Sequence, residues 1–469
     1  MKRKILCALA GLLTINFLNA LELVPTQELL ASYLQKDSEL KNQALELQKA
    51  RINNQITQIN NGFNIKLSTG DMTFTFGDDS SFKVYPGVNA SLPQYNNLGL
   101  NLNGQMSVSD GQTSLDNASA SLSVDIISSD KAERKISLLE SERKITEAQR
   151  SLASKAVEKE KGFYNSLRTI LSKISSIVTK KNSLNDDYID FEKIKLQGYA
   201  KTSSAYIKAE MKVLSSEHEL ETSIHSLISD YKLFYLDCGY EIEIPENTDF
   251  TQLIPLDIPQ VEAVDITSYQ IQNYKEIESA VWTQTKNQMS RDAATKVTLS
   301  ANGGYTYKNT LTGGSNTVNA GATASYEGIG LNAGVSVPVS SASSPALTLG
   351  LTYVPTTSKK NKLNDQLEEI SIEQEQMKVD SAYSSYESAV REKQLKLQDI
   401  KWEAETNQKN YDMYVSVEKE MLNYYKKGYI SEREYSSAVI NTIQSRVNGL
   451  INQLDLIIYN DEVKSMFVE

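Results

Sequence analysis

Apolar side chains recur along this chain with two different periods, arranged in alternating blocks. In one kind of block they fall at helical spacing. Leu167, Ile170, Leu171, Ile174, Ile177 and Val178 show it in the first such block, and Ala382, Tyr386, Ala389 and Val390 in the second. These blocks almost lack breakers: only Gly162 interrupts 128–197, and neither Gly nor Pro occurs from Thr356 to Lys427. The nine prolines leave both blocks untouched, with none between Pro93 and Pro245 and none after Pro355. A helix of about 70 residues spans on the order of 105 Å. That exceeds an ordinary globular helix several-fold, so the pattern predicts coiled coil or helical array.

In the other kind of block the period is two. Leu98, Leu100, Leu102, Met106 and Val108 alternate with small or polar neighbours, as do Ala118, Ala120, Leu122, Val124 and Ile126. Phe82, Val84, Val88, Ala90 and Leu92 make a further strand, broken by Pro86. The second block repeats the pattern over 296–308, 317–326, 328–338 and 346–354, with the Gly- and Asn-rich stretch from Thr310 to Asn319 read as a surface loop. About four strands are expected in each block. Strands of roughly nine to thirteen residues with one apolar and one small polar face suit a tilted crossing of an outer membrane. They suit a soluble antiparallel sandwich as well.

The chain also folds onto itself at an offset near 230 residues. Gly198-Tyr199 and Gly428-Tyr429 each end a long helical block, and each is followed by a helix-start signal: Thr202, Ser203 and Ser204 in one case, the capping-box pair Ser431 and Glu434 in the other. The resulting division is a first repeat over 21–237 and a second over 266–469, joined by a linker over 238–265. In the first repeat, strands occupy about 63–127, a long helix 128–197 and a shorter helix 203–237. In the second, strands occupy about 296–354, a long helix 356–427 and a shorter helix 431–467. Further helices are expected before the strands, at about 25–60 and 266–294. Residues 1–20 read as an export signal: Lys2, Arg3 and Lys4, then the apolar run Ile5 to Leu18 and the small Ala20.

This order, twice over, resembles the TolC-like outer-membrane efflux proteins. The segments that carry the resemblance are GYAKTSSAYIKAEMKVLSSEHELE and GYISEREYSSAVINTIQSRVNGLINQLDLIIYN. It implies an α+β membrane protein: a homotrimeric, shared transmembrane β-barrel continued by a long periplasmic α-helical barrel, with two tandem helix–strands–long helix–helix repeats per chain. The implied role is a passive export duct for small molecules or proteins, in a tripartite efflux pump or type I secretion system. The implied location is the outer membrane, extending into the periplasm, and the implied partners are a periplasmic adaptor (membrane fusion) protein, an inner-membrane transporter and outer-membrane lipid. The family pattern has two barrel strands per repeat, which is fewer than the count here, so either the barrel is wider than usual or some strands form an extracellular extension. The rival reading is an exported trimeric coiled-coil structural protein or adhesin without channel activity, which has no need of two such halves.

Composition removes other classes. With 48 Lys+Arg against 59 Asp+Glu the net charge is −11, and removing the three basic residues of the export signal leaves 45 against 59, or −14. An acidic chain is a poor partner for nucleic acid phosphates. Only Cys7 and Cys238 occur, Cys7 within the export signal, so no internal disulfide or Cys-based metal site is expected. His218 and His225 lie seven apart on one helix, about 10 Å, too far for one metal ion. No nucleotide-binding, hydrolase or metalloprotease motif appears, so neither enzymatic activity nor a cofactor is expected. Asp186, Asp187 and Asp190 lie close before the first Gly turn. The resemblance places an acidic pore aperture about four turns before the second Gly turn, where Tyr411, Asp412 and Tyr414 stand, and places Gly198, Tyr199, Gly428 and Tyr429 at periplasmic tip turns that contact the adaptor. The family's ion-pair lock has no counterpart at Ile430 and Ser204, leaving a tyrosine-rich closure as a substitute.

Overall fold

The computed structural model of the chain describes residues 23–469 except 77–79, 110, 246–247, 256, 311–312, 340–343 and 469. The export signal therefore lies outside the described residues. In chain order the elements are α1 (Thr26–Lys36), α2 (Ser38–Asn60), β1 (Asn64–Ser68), β2 (Met72–Thr75), β3 (Ser81–Val84), β4 (Gly87–Leu92), β5 (Leu98–Ser109), β6 (Gln112–Ile127), α3 (Asp130–Leu196) and α4 (Ser204–Asp237). Three short 3-10 turns follow, then α5 (Lys275–Ala293), β7 (Val297–Thr310), β8 (Gly313–Tyr326), β9 (Ile329–Pro338), β10 (Ala346–Tyr353), α6 (Pro355–Lys426) and α7 (Glu432–Ser465). The chain divides into two compact units, one of 43–151 and 274–386, the other of the remaining segments.

The first unit holds one antiparallel sheet. Its first block contains six strand pieces rather than four. The stretch over 81–92 is cut at Pro86, which has no N–H to give the ladder, yet β3 and β4 both pair β5 in one continuous register, Val84 opposite Met106 and Gly87 opposite Asn103. On the outer side β1 pairs β4 and β2 pairs β3, separated by a kink at Gly70, whose φ is +60°. A Cβ there would sit 2.2 Å from the Tyr85 carbonyl oxygen. The six pieces thus form four strand lines, and with β7 to β10 the sheet is eight lines across.

Thr310 and residues 313–319 are strand rather than the expected loop. β7 runs to Thr310 and β8 starts at Gly313, so the two form a long hairpin with Thr317 opposite Thr306 and Asn316 opposite Tyr307. Two glycines allow this: Gly313 takes φ +119°, and a side chain on Gly314 would meet the Tyr307 ring at 2.8 Å. The helix expected over 266–294 also begins later. Asp265 accepts from the Thr267 N–H and starts a 3-10 turn instead, and the α-helix is confined to α5. The helix expected over 25–60 is likewise two, parted at Asp37, which adopts an extended ψ of 122°.

Register joins the sheet's side chains into continuous rows. One row runs Ile65, Ala90, Leu100, Leu122, Gly303, Ala320, Val335, Leu347 through all eight lines. The row on the opposite face runs Asn64, Ser91, Gly99, Ser123, Asn302, Gly321, Gly334, Thr348. The apolar row is exposed: Ile65, Leu100, Leu122, Val335 and Leu347 all stand open. A sandwich covers its apolar face with a second layer; here the described residues form a single sheet.

All four helix connections reach the sheet at one end. Two turns at that end are tied to the helix starts. Asn96 and Asn97 take positive φ, and Arg134 of α3 donates to the Pro93 carbonyl and to the Asn97 side chain. Glu327 and Gly328 take positive φ, the Val354 N–H donates to the Gly328 carbonyl at 2.9 Å, and Lys296 bridges to Asp365 of α6 at 3.2 Å. α5 is clasped to α3 by Glu278, which binds both Arg143 and Arg150.

The second unit has the chain's main core. Phe163, Leu167, Leu171 and Ile174 of α3 pack with Leu227, Tyr231 and Tyr235 of α4 and with Leu454 and Ile457 of α7. Cys238 lies in this core, and burial pushes its thiol up to about 12, so it is a structural thiol. No described helix is long and apolar enough to cross a membrane.

Candidate pore constriction and helix turns

Both long helices end on glycine in the left-handed region. Gly428 has φ +72° and Gly198 φ +76°, and a Cβ at either would meet nothing within 4 Å. After α6 the Gly428 N–H donates to Tyr425 and the Tyr429 N–H to Tyr424, both at 2.9 Å, which is a Schellman ending. Ser431 then caps α7 with the full capping box, its hydroxyl taking the Glu434 N–H while Glu434 takes the Ser431 N–H at 2.8 Å. These bonds hold the Glu434 carboxyl below the usual range. Tyr199 and Tyr429 are both exposed, Tyr429 at 73%.

The acids near these turns have different surroundings. Asp412 is exposed on α6, accepting only from Gln408 one turn back at 2.9 Å; Tyr411 and Tyr414 beside it are half-buried. Asp186 is exposed, and Asp190 is exposed in an i,i+3 pair with Lys193 at 3.1 Å. Asp187 is buried, taking Lys212 at 2.5 Å and the Ser216 hydroxyl at 2.7 Å, both from α4. Its charge is already spent within the chain. Among the described residues no cluster of His, Cys, Asp and Glu could hold a metal ion.

Between α3 and α7 lies a contact set centred on Arg433. Its guanidinium reaches Glu192 at 3.2 Å and lies 3.9 Å over the Tyr188 ring. Asn185, buried, donates to the Arg433 carbonyl and to the Ser437 hydroxyl, each at 2.7 Å. Tyr188 in turn donates to Glu217 of α4, and burial together with that bond pushes its phenol up to about 12. α6 meets α7 through stacked rings, Tyr425 on Tyr435 at 5.6 Å and 9°.

Residues 29–258 match the TP096X N-terminal domain, and residues 259–469 match the TP096X C-terminal domain. The chain belongs to the TP096X family. No curated protein matches the sequence. Among solved structures, the TP096X chain is similar to the outer membrane protein VceC of Vibrio cholerae (11% identity, TM-score 0.48, 95% of this chain and 97% of that one). It is similar also to the MtrE outer membrane channel of Neisseria gonorrhoeae (14%, 0.45, 97% and 93%) and the CmeC outer membrane channel of Campylobacter jejuni (10%, 0.44, 97% and 91%).

The contact residues Arg433, Glu192, Glu217 and Tyr435 escaped the sequence reading of this TP096X chain. Arg433 sits inside the capping box, Ser431 to Glu434, where a basic residue reads only as a solvated position. A charge on α7 aimed at an acid on α3 becomes visible only when positions 241 apart in the chain are folded together.

Proposed function

We propose that this chain is the outer-membrane channel of an export system, a homotrimer that conducts without chemistry of its own. The sheets of three copies form a transmembrane β-barrel, and the long helices extend into the periplasm toward an adaptor and an inner-membrane transporter. One observation carries the reading: an apolar row through eight strand lines stands exposed, while the neighbouring row on the reverse face is Asn, Ser, Thr and Gly throughout. Such a sheet meets its two solvents when lipid covers one face and water the other. A coiled-coil spacer leaves that apolar face in water.

In the same reading the exposed carboxylate of Asp412, three copies converging, makes a cation-favouring constriction. Asp186 and Asp190 add charge nearby. Gly198, Tyr199, Gly428 and Tyr429 form turns that meet the adaptor, and the Arg433 contacts with Glu192 and Tyr188 hold α7 against α3 in the closed form. The test is conductance of detergent-extracted protein in planar bilayers. Discrete steps that prefer cations, with selectivity weakened in Asp412→Asn, support the reading. Folded trimer that never conducts would reject it in favour of the structural rod.

A further inference from the structure

The two helix turns carry a charge opposite in sign to that of the chain, which is −11 overall. Residues 193–201 hold Lys193, Lys195 and Lys201 and no acid. Residues 424–434 hold Lys426, Lys427 and Arg433 against Glu432 and Glu434. The Arg433 guanidinium reaches Glu192 at 3.2 Å, which sets the two turns side by side. We infer that together they form a docking surface for an acidic protein tip, an adaptor that presents Asp or Glu around an apolar residue. This rests on the reading above that the turns meet the adaptor, and it adds the partner's chemistry.

Three observations support it. First, the acids beside the turns are engaged within the chain while the cations are free. Asp187 takes Lys212, Asp190 takes Lys193, Glu192 takes Arg433, and Glu434 closes the capping box; Glu432 is the exception. Lys201, Lys426 and Lys427 are exposed and make no ion pair among the described residues, and Lys195 lies over the Phe191 ring at 3.8 Å. Second, helix stabilisation does not account for them all. A cation in the last turn offsets the negative end of the helix dipole, and Lys195 and Lys426 sit there. Lys201 and Lys427 lie beyond the helix ends.

Third, the lysines surround open apolar side chains. Leu196, the last residue of α3, is 88% exposed, and Tyr429 is 73% exposed. An apolar centre with a charged rim is the anatomy of a protein interface. The same turns of a second copy would bring the same lysines and be repelled, so the fitting rim is acidic.

The test is binding of synthetic helical hairpins to the detergent-extracted oligomer. The probe's turn holds Leu between Glu residues, and comparison probes carry Gln or Lys in place of Glu. The Glu hairpin should bind about tenfold more tightly than the Gln hairpin at about 50 mM salt, and the gap should close at about 500 mM. Lys195→Glu, Lys201→Glu, Lys426→Glu and Lys427→Glu together should reverse the order in favour of the Lys hairpin. Should that variant fail to assemble, Lys201→Glu with Lys427→Glu should narrow the preference about threefold. Lys359→Glu, Lys360→Glu, Lys362→Glu and Lys378→Glu together, at exposed positions elsewhere on α6, should leave it unchanged.

No preference for Glu over Gln would overturn the proposal, and so would an equal reversal in the second set, which would assign the effect to the charge of the whole chain. Capture of phosphatidylglycerol vesicles without a preference among the hairpins would replace the protein partner by a lipid surface and overturn it as well. Conductance of the same preparations separates the claims. Conducting protein that ignores hairpin charge loses only the acidic partner, while protein that selects the Glu hairpin and never conducts counts against the channel.

Discussion

The two long helices are close in length, 67 residues in α3 and 72 in α6, and they are buried to different degrees. α3 places Phe163, Leu167, Leu171, Ile174 and Ile177 in the main core. α6 leaves Leu363, Leu367, Met377, Leu395 and Trp402 exposed and buries few apolar side chains, Val379, Ala382 and Ile400 among them, and many of its contacts with its own chain are polar. Lys393 and Lys396 hold Glu462 of α7, Asn407 meets Asn452, and Arg291 of α5 holds the buried Glu375 at 3.0 Å. Leu363, Leu367 and Ile370 fall at i, i+4 and i+7, a stripe suited to another helix. α3 is completed by its own chain, whereas α6 would be completed by a second copy in the proposed trimer.

The largest expected effect lies on α3. Leu171→Ala empties a fully buried site and should lower the stability of the detergent-solubilised chain by about 2–5 kcal/mol in denaturant titration. Trp402→Ala on α6 should leave the chain's own stability within about 0.5 kcal/mol while lowering the temperature at which the oligomer dissociates in SDS. Equal losses in the two variants would erase the contrast.

Asp461 sharpens the packing of α7 on α3. It is 3% exposed, one carboxylate oxygen has no hydrogen-bond partner, and burial, with Glu160 adding and Lys464 and Lys161 opposing, pushes it up to about 7. A carboxyl raised in the folded state holds its proton there and loses stability as pH rises from its unfolded value through about 7. Asp461→Asn should therefore gain about 1–3 kcal/mol at pH 8 and nothing at pH 4. A gain that is independent of pH would deny the titration.

The ends of the two helices should respond alike. Gly198→Ala and Gly428→Ala meet no neighbour, so the positive φ alone should cost each about 1 kcal/mol in thermal melts. The smallest effect concerns the clasp of α5 on α3. Arg143 chiefly, with Arg150, holds Glu278 below the usual carboxylate range, so its contribution is present above the ordinary glutamate pKa and is lost as pH falls through the depressed value. Glu278→Gln should flatten that acid limb of a stability–pH profile, and an unchanged limb would remove Glu278 from it.

Much of this architecture was legible because its signals are local. The absence of Gly and Pro from Thr356 to Lys427 is an absence of helix breakers, and α6 fills that stretch. Alternation through Leu98 to Val108 became β5, and Ser431 with Glu434 became a capping box. Long-range partners decided what stayed illegible. Gly313 and Gly314 read as loop because glycine is a breaker in isolation, whereas the Tyr307 ring across the hairpin requires a residue without a side chain. Arg433 and Glu192, like Asp187 and Lys212, are charges on solvated helices until the fold brings them together.

The central claim is that one face of the eight-line sheet meets lipid and the other water. Nitroxide spin labels at Leu100, Leu122 and Val335, and at Asn101, Ser121 and Asn319, of protein reconstituted in bilayers read this directly through collision with oxygen or with a water-soluble nickel chelate. The account predicts oxygen-dominated relaxation at the first three sites and nickel-dominated relaxation at the second three. Nickel-dominated relaxation at all six would contradict it.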